Sequence, residues 1–526
     1  MDTFIKLYNK YPRAFSYLII TTILYIIYNA PIHTIYYFAD ENINIFAKNI
    51  SYEWDFKRFI YNGMVHGRPI MMYLLTLISD FAHNDNSHLQ IIRILQLLIS
   101  SLTAFYLFRL IIKRNIPHAW GIAIVIFIWA QPTFQIFHTY SATLPALMAM
   151  SLSLLSFQLT YNTFEHQGKP KKLYLLIAFL LLMVCWIIYQ SAPFVGLSVM
   201  AIYALTEPAD RWKTRLKIYL SYIAILIISM ITFTALYKYG LSLTTMKAYP
   251  LTNNAFSLLT DGSLSNYLQL LHPKNYTGPF ELWNYLFPIK SLSSTQNGIG
   301  SGSFLYFAYF AMIVYAGMLI TNLNLDIKLH GKKCALQRHV IATSAVLLTF
   351  LPLVADGFSF RQHIYMACTP AIILTASFYF LTIYRHLIKK ETHRTAVKTS
   401  LIVGLVFVSF GAQANIMRGI LLPSVRYHTF LINELLSQKG KPYNHALVIN
   451  AKASCEWEPC RGFMFRRLSI AARDKSIIYQ LMLNRAHMRY EVPIVFSDNI
   501  PEGLNIDNYL IIDYRKLASL QQIEKP

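Results

Sequence analysis

Acidic side chains are scarce in this chain: 25 Asp and Glu stand against 47 Lys and Arg in 526 residues, for a formal net charge of +22. Charged residues of either sign make up only 14%. Such an excess suits a nucleic acid only where the cations share one soluble face. Here they are parcelled out between apolar runs, so membrane lipids are the expected counter-charge and no nucleic-acid partner is expected. Cysteine is sparse too, with five residues at no zinc-binding spacing. Cys185 and Cys368 fall in apolar runs and read as small buried hydrophobes, while Cys334 sits in a basic loop. Cys455 and Cys460 are close enough for a short disulfide in an oxidising compartment, and remain thiols in a reducing one. No nucleotide-binding motif and no internal repeat is found, which argues against ATP coupling by this chain alone.

What the chain has in abundance is apolar surface: 55% of residues are hydrophobic, and mean hydropathy is +0.39. A soluble domain could not solvate that surface, whereas a bilayer requires it. Apolar runs at about 14–29, 88–112, 118–133, 139–159, 173–189, 192–206, 216–238, 303–323, 339–355, 364–384 and 399–417 read as about eleven transmembrane helices. Six cation-rich segments alternate with cation-poor ones between them. The cation-rich set includes Lys6/Lys10/Arg13, Lys113/Arg114, Lys169/Lys171/Lys172 and Arg211/Lys213/Arg215/Lys217. It closes with Lys328/Lys332/Lys333/Arg338 and Arg385/Lys389/Lys390/Arg394/Lys398. The positive-inside rule places these segments, and the N-terminus, in the cytoplasm. Tyr28-Asn29-Ala30 is no small-x-small cleavage site, so the first run reads as a retained anchor.

Two external loops are then long, about 31–87 and about 240–302. The first contains a 13-residue apolar stretch, Pro69 to Phe81, too short to cross and suited to an interfacial helix with Pro69 in its first turn. The glycine-rich stretch 298–302 in the second follows no strand and reads as a flexible loop. Residues 1–417 form the membrane domain in this reading, and 418–526 a small α/β domain on the outer, periplasmic side. Within the latter, 424–438 reads as an amphipathic helix ending before Gly440, and 461–484 as helical. His445–Asn450, Val492–Phe496 and Tyr509–Asp513 read as short buried strands.

Chemistry is expected at the outer rim. Asp40 and Glu41 follow the first span directly, among aromatic residues; partial desolvation would raise a carboxylate pKa and make a better general base. The alternative is a cap on an interfacial helix. Asp55 beside Lys57 and Arg58 suits a solvated charged face, and His66 closes the loop just before Arg68. Arg68 suits bidentate phosphate binding or, alternatively, snorkelling. Arg93 lies inside an apolar span, which is costly without a cavity or a partner such as Asp80 or Asp85. Arg361 and His363 stand in the short outer loop 356–363, where they could stabilise a phosphate leaving group. His138, Tyr189 and Gln190 could line an outer cavity, or anchor the aromatic belt.

A long first external loop with Asp40-Glu41 after span 1, then Gly67-Arg68-Pro69 and an interfacial helix, resembles the GT-C superfamily of glycosyltransferases. Within it the chain looks like the bacterial GtrII-type O-antigen glucosyltransferases. The resemblance implies an inner-membrane enzyme that moves a hexose, glucose in that family, from a polyprenyl-phosphate donor to a periplasmic glycan acceptor such as the O-antigen of lipopolysaccharide, inverting the anomeric centre. Asp40 or Glu41 would be the base, with Arg68, Arg93, Arg361 and His363 on the donor phosphate. No second Asp-x-Asp is present, so no metal or other cofactor is expected. The rival readings are a transporter or flippase for a lipid-linked saccharide, and an O-antigen polymerase or ligase.

Overall fold

The computed structural model describes residues 11–34, 68–82, 86–114, 116–139, 143–165, 171–208, 211–243, 301–352, 366–387, 390–417, 421–441, 443–449, 493–497, 499–501 and 506–513. These are predominantly helical, with α1 Pro12–His33, α2 Pro69–Ala82, α3 Asn86–Ile112, α4 His118–Trp129, α5 Pro132–Thr139, α6 Leu144–Glu165 and α7 Lys171–Ile188. There follow α8 Val195–Thr206, α9 Trp212–Ser242, α10 Ser301–His330, α11 Lys332–Leu348, α12 Cys368–Leu387, α13 Glu391–Ile416 and α14 Leu422–Ser437. The protein is a helical membrane protein, and α1, α3, α6, α7, α9 and α13 contain segments long and apolar enough to cross a bilayer.

Each apolar run coincides with a helix, but the run at 118–133 does not continue as one. It breaks after Trp129, and Pro132, which lacks an N–H, opens the short α5. His138 therefore lies in a helix rather than in a short loop. Both α4 and α8 have only 12 residues, about 18 Å of helix against a hydrocarbon core of about 30 Å. Their composition matches their position. Every residue of α8 from Val195 to Leu205 is buried, as expected of a helix that is apolar all round. It packs against α6, α11 and α12 and forms the centre of the bundle. At the periphery the apolar side chains point outward: Leu173, Leu176 and Leu180 of α7, Ile227, Ile228 and Ile231 of α9, and Ile402, Phe407 and Phe410 of α13 are exposed. In water these stripes would be an aggregation hazard; acyl chains cover them at no cost.

Close approach at the centre depends on Gly196. A Cβ placed there would lie 2.0 Å from the Tyr222 hydroxyl and 3.1 Å from the Ser153 carbonyl. Its N–H donates to Ser153 Oγ at 3.0 Å, so helices α6, α8 and α9 meet at one point.

Beyond the bundle, β1 His445–Ile449, β2 Ile494–Ser497 and β3 Tyr509–Asp513 form a parallel sheet in the order β2-β1-β3. The central strand carries the buried run Ala446–Ile449. Gln438, just past α14, uses its amide to copy a neighbouring strand: it accepts from the Ile511 N–H at 3.0 Å and donates to the Ile511 carbonyl at 2.5 Å. That closes the outer edge of β3. Gly440 follows with φ 93°, a conformation that favours glycine. The segment 461–484 and the pair Cys455/Cys460 lie outside the described residues. Cys185 and Cys368 are buried and Cys334 is half-buried, and none of the three forms a disulfide among the described residues.

Replacing Gly196 with Ala should destabilise the protein by about 1–3 kcal/mol through overpacking. At Gly404 no atom lies within 4 Å of an added Cβ, so Gly404→Ala should be neutral or gain about 0.5–1 kcal/mol. Thermal unfolding in detergent distinguishes the two; equal midpoints would contradict the central packing.

Candidate functional site at the end of the bundle that holds Arg68

Arg68 stands immediately before α2, and its carbonyl accepts the first helical bond, from Met72 N at 3.1 Å. A cation beside a helix N-terminus opposes the helix dipole, so α2 does not account for an arginine there. The guanidinium is held instead by the end of α7. Its carbon lies 4.9 Å from the centroid of the Tyr189 ring, and Nε and Nη2 both donate to Gln190 Oε1 at 3.4 Å. Three residues singled out in the sequence, Arg68, Tyr189 and Gln190, are thus in contact. Tyr189 is 3% exposed and is no membrane-belt anchor.

Arg93 lies two turns into α3 and is 2% exposed. Its Nη1 donates to the carbonyls of Pro31 at 2.9 Å and Thr34 at 3.1 Å. A cation at the C-terminal end of α1 completes carbonyls that have no intrahelical donor and complements the dipole. Arg93 therefore fastens the point from which residues 35–67 depart. The Asp80 side chain and Asp85, its expected partners, lie outside the described residues. So do Asp40, Glu41, Asp55, His66, Arg361 and His363.

His138 is 3% exposed. Its ring packs on Tyr28 with centroids 3.7 Å apart, and its Nε2 is 3.0 Å from Ser100 Oγ. Ser100 also accepts from the Trp129 indole, and the Tyr28 hydroxyl donates to the Trp129 carbonyl. Gln96 donates to the Phe137 carbonyl at 3.2 Å. This places His138 in a buried hydrogen-bonded network between α1, α3 and α4. Arg93, Gln96, Ser100 and Thr103 are all buried, at a spacing that puts them on one face of α3. The signal was present as a polar stripe at helical spacing through an apolar run; reading Arg93 singly missed it.

The opposite end of the bundle carries a second polar layer that sequence reading treated only as charge. Glu207, just past α8, forms an ion pair with Arg114 and accepts from the Tyr161 hydroxyl at 3.0 Å. Arg114 also lies 3.5 Å from the Tyr203 ring centroid. The Glu207 carbonyl takes hydrogen bonds from Arg338 and, at 3.2 Å, from Arg215. Arg338 in turn pairs with Asp326 at 2.7 Å. Glu165 accepts from Arg211 at 2.7 Å, and its other oxygen lies 2.9 Å from the Tyr161 hydroxyl, whose single proton Glu165 and Glu207 share. Cations crowd this end enough that burial, followed by Arg109, Arg114 and Arg13, pushes the Lys113 ammonium below its usual value. Among the described residues no group of three His, Cys, Asp or Glu is placed to hold a metal ion.

No family model matches the chain, and comparison with curated proteins and with solved structures finds no match either.

The inner pair offers a direct check on this layer. The Arg338 and Asp326 side chains are 6% and 15% exposed. Asp326→Asn should cost about 3–5 kcal/mol by leaving Arg338 buried and uncompensated, while Asp326→Leu combined with Arg338→Met should recover most of that loss. Thermal midpoints in detergent measure both; a double variant no better than the single one would show that the pair is not the source of the loss.

Proposed function

We propose that this protein is an inner-membrane glycosyltransferase of the GT-C type that moves a hexose from a polyprenyl-phosphate carrier to a glycan acceptor on the periplasmic side. The topology is the one the cation distribution favours: about eleven spans, the N-terminus in the cytoplasm, and the sheet-containing segment 418–526 outside. The observation that carries the reading is the seat of Arg68. It is a guanidinium at the membrane-interfacial helix, laid on the Tyr189 ring and donating two long bonds of 3.4 Å to a neutral amide oxygen. A phosphate would accept from the same fork at about 2.7–2.9 Å, so the amide acts as a stand-in that an anion displaces. Arg93 adds a second element: by holding Pro31 and Thr34 it anchors the start of the segment that carries Asp40 and Glu41.

The reaction in this reading is a single displacement. The carboxylate of Asp40 or Glu41 removes the proton from an acceptor hydroxyl. The hydroxyl oxygen forms the new bond to the anomeric carbon as the bond from that carbon to the phosphate oxygen breaks. The electron pair leaves with the polyprenyl phosphate, and Arg68, with Arg361 and His363, stabilises the charge that develops there. The anomeric centre inverts. Arg93, committed to α1 carbonyls, serves as a positioning residue rather than a phosphate ligand. The transporter and polymerase readings have no comparable observation in their favour.

The decisive assay combines purified protein, radiolabelled polyprenyl-phosphate hexoses and candidate acceptor glycans. Asp40→Asn should abolish transfer while leaving membrane insertion intact; full activity would remove the base assignment. Arg68→Ala should lower kcat/KM for the lipid donor by about tenfold to a hundredfold, the range for one lost charge-assisted contact, with a smaller change in acceptor KM. An unchanged donor dependence would remove Arg68 from the site. Topology is tested separately with the native cysteines replaced by serine. A Gly300→Cys substitution should react with an impermeant maleimide from the periplasm, and Lys332→Cys should not; the reverse pattern overturns the orientation.

A further inference from the structure

Charge counting assigns Arg13 to the basic N-terminal segment and Lys113 to the end of a different span, yet packing brings them together. Helices α1 and α3 run antiparallel. At one end Arg93 of α3 reaches the last carbonyls of α1. At the other, the Tyr17 ring of α1 meets the Phe105 ring of α3 edge to face, with centroids 5.4 Å apart. One turn beyond that contact, toward the end of the bundle opposite Arg68, stand Arg13 on α1 and Arg109 on α3. Lys113 follows just past the end of α3. Arg13 and Lys113 are exposed and Arg109 is half-buried.

These cations lie within electrostatic reach of one another: burial, followed by Arg109, Arg114 and Arg13, depresses the Lys113 ammonium. Arg114 turns away to Glu207. Among the described residues no carboxylate forms an ion pair with Arg13, Arg109 or Lys113. The helices do not supply the missing charge. The C-terminal end of α3 provides the equivalent of about half a negative charge, too little to offset three cations. At Arg13 the dipole of α1 has the wrong sign, and that helix has no acidic residue in its first turn and no side-chain cap. An anion seated there would answer Arg13 and the N-terminus of α1 together.

An apolar stripe leads up to the cations. Leu98 and Leu102 are exposed and recur at helical spacing with Phe105 and Arg109, on one face of α3. From Leu98 to Arg109 the helix rises about 16 Å, half of a hydrocarbon core of about 30 Å. That is the reach of one acyl chain in one leaflet.

We propose that Arg13, Arg109 and Lys113 form a binding site for an anionic phospholipid, with the phosphate between the ends of α1 and α3 and an acyl chain along Leu102 and Leu98. The occupant is a lipid rather than a free phosphate because the cations terminate a membrane-facing apolar stripe. The site is independent of the chemistry proposed at Arg68; only the name of the leaflet, cytoplasmic, rests on the topology given there.

The test titrates the full chain, in neutral detergent, with phosphatidylglycerol or phosphatidylcholine and counts bound lipids by native mass spectrometry. Four proteins are compared: wild type, Arg109→Gln combined with Lys113→Gln, Arg13→Gln, and Lys171→Gln combined with Lys172→Gln. The last removes the same charge as the first double variant, from exposed positions at the start of α7. Wild type should prefer phosphatidylglycerol. Its apparent affinity should fall about tenfold in the Arg109/Lys113 variant and about threefold in Arg13→Gln, and stay unchanged in the Lys171/Lys172 variant. Equal losses in the two double variants would reveal a diffuse surface potential and overturn the site, as would a wild type without preference. A thermal midpoint raised by inorganic phosphate in a wild type that does not prefer the anionic lipid would overturn the lipid assignment. Midpoints without lipid check that each variant folds. Arg13 is exposed, so Arg13→Gln keeps the test open if loss of the half-buried Arg109 unfolds the chain; wild-type binding by Arg13→Gln overturns the site.

Discussion

Glu207 ties more of this bundle together than any other residue described. Its carboxylate takes Arg114 of the α3 end and Tyr161 of α6, and its carbonyl takes Arg338 of α11 and Arg215 of α9. Four elements are thereby clamped to the end of α8, the most buried helix. The constraint behind this arrangement is general to proteins in lipid. Polar groups buried between the helices are cut off from water, so each has to be answered within the protein, and a single carboxylate that answers several cations fixes their mutual positions.

The same rule shapes the other end with neutral partners. Tyr28, Trp129, Ser100 and His138 join α1, α3, α4 and α5 through bonds to one another, and Gln96 adds one to the Phe137 carbonyl. Arg93 extends that network to the last carbonyls of α1. The middle of the bundle, by contrast, is packed by apolar contacts and small-residue approaches such as Gly196 against Tyr222. Two rigid polar layers separated by an apolar centre leave the bundle ends as the places where ligands can meet fixed charges. Arg68 is such a place at one end, and a cavity lined by Arg114, Asp326, Arg338 and Arg385 lies at the other. Arg68 rests on an aromatic face beside a neutral amide, suited to an anion that arrives and departs.

A large part of the helical layout was legible from local pattern. Each long apolar run contains a helix among its described residues, α2 begins at Pro69 as its first-turn proline implied, and the strands at 445–449, 494–497 and 509–513 fall where short apolar runs stand between turn residues. Local pattern misjudged 118–133, because a proline at 132 inside an apolar run is visible but its consequence, a break with a short buried helix behind it, depends on what packs around it. Charge counting likewise registered Arg114, Arg215 and Arg338 as cytoplasmic cations; it could not reveal that they converge on Glu207.

The chain alone determined that a membrane is its solvent, which segments are helical, and which ends gather cations, because hydropathy, helical period and charge are sums over neighbouring residues. Tertiary structure alone decided which polar groups meet. Arg68 reaches Gln190 across 122 residues and Arg338 reaches Glu207 across 131. Such pairings follow from how helices pack side by side, and no local property of either residue encodes its partner. That is why Arg93, read singly as a cation in need of a cavity or an acidic partner, is found in the folded protein to donate to the last carbonyls of the first helix.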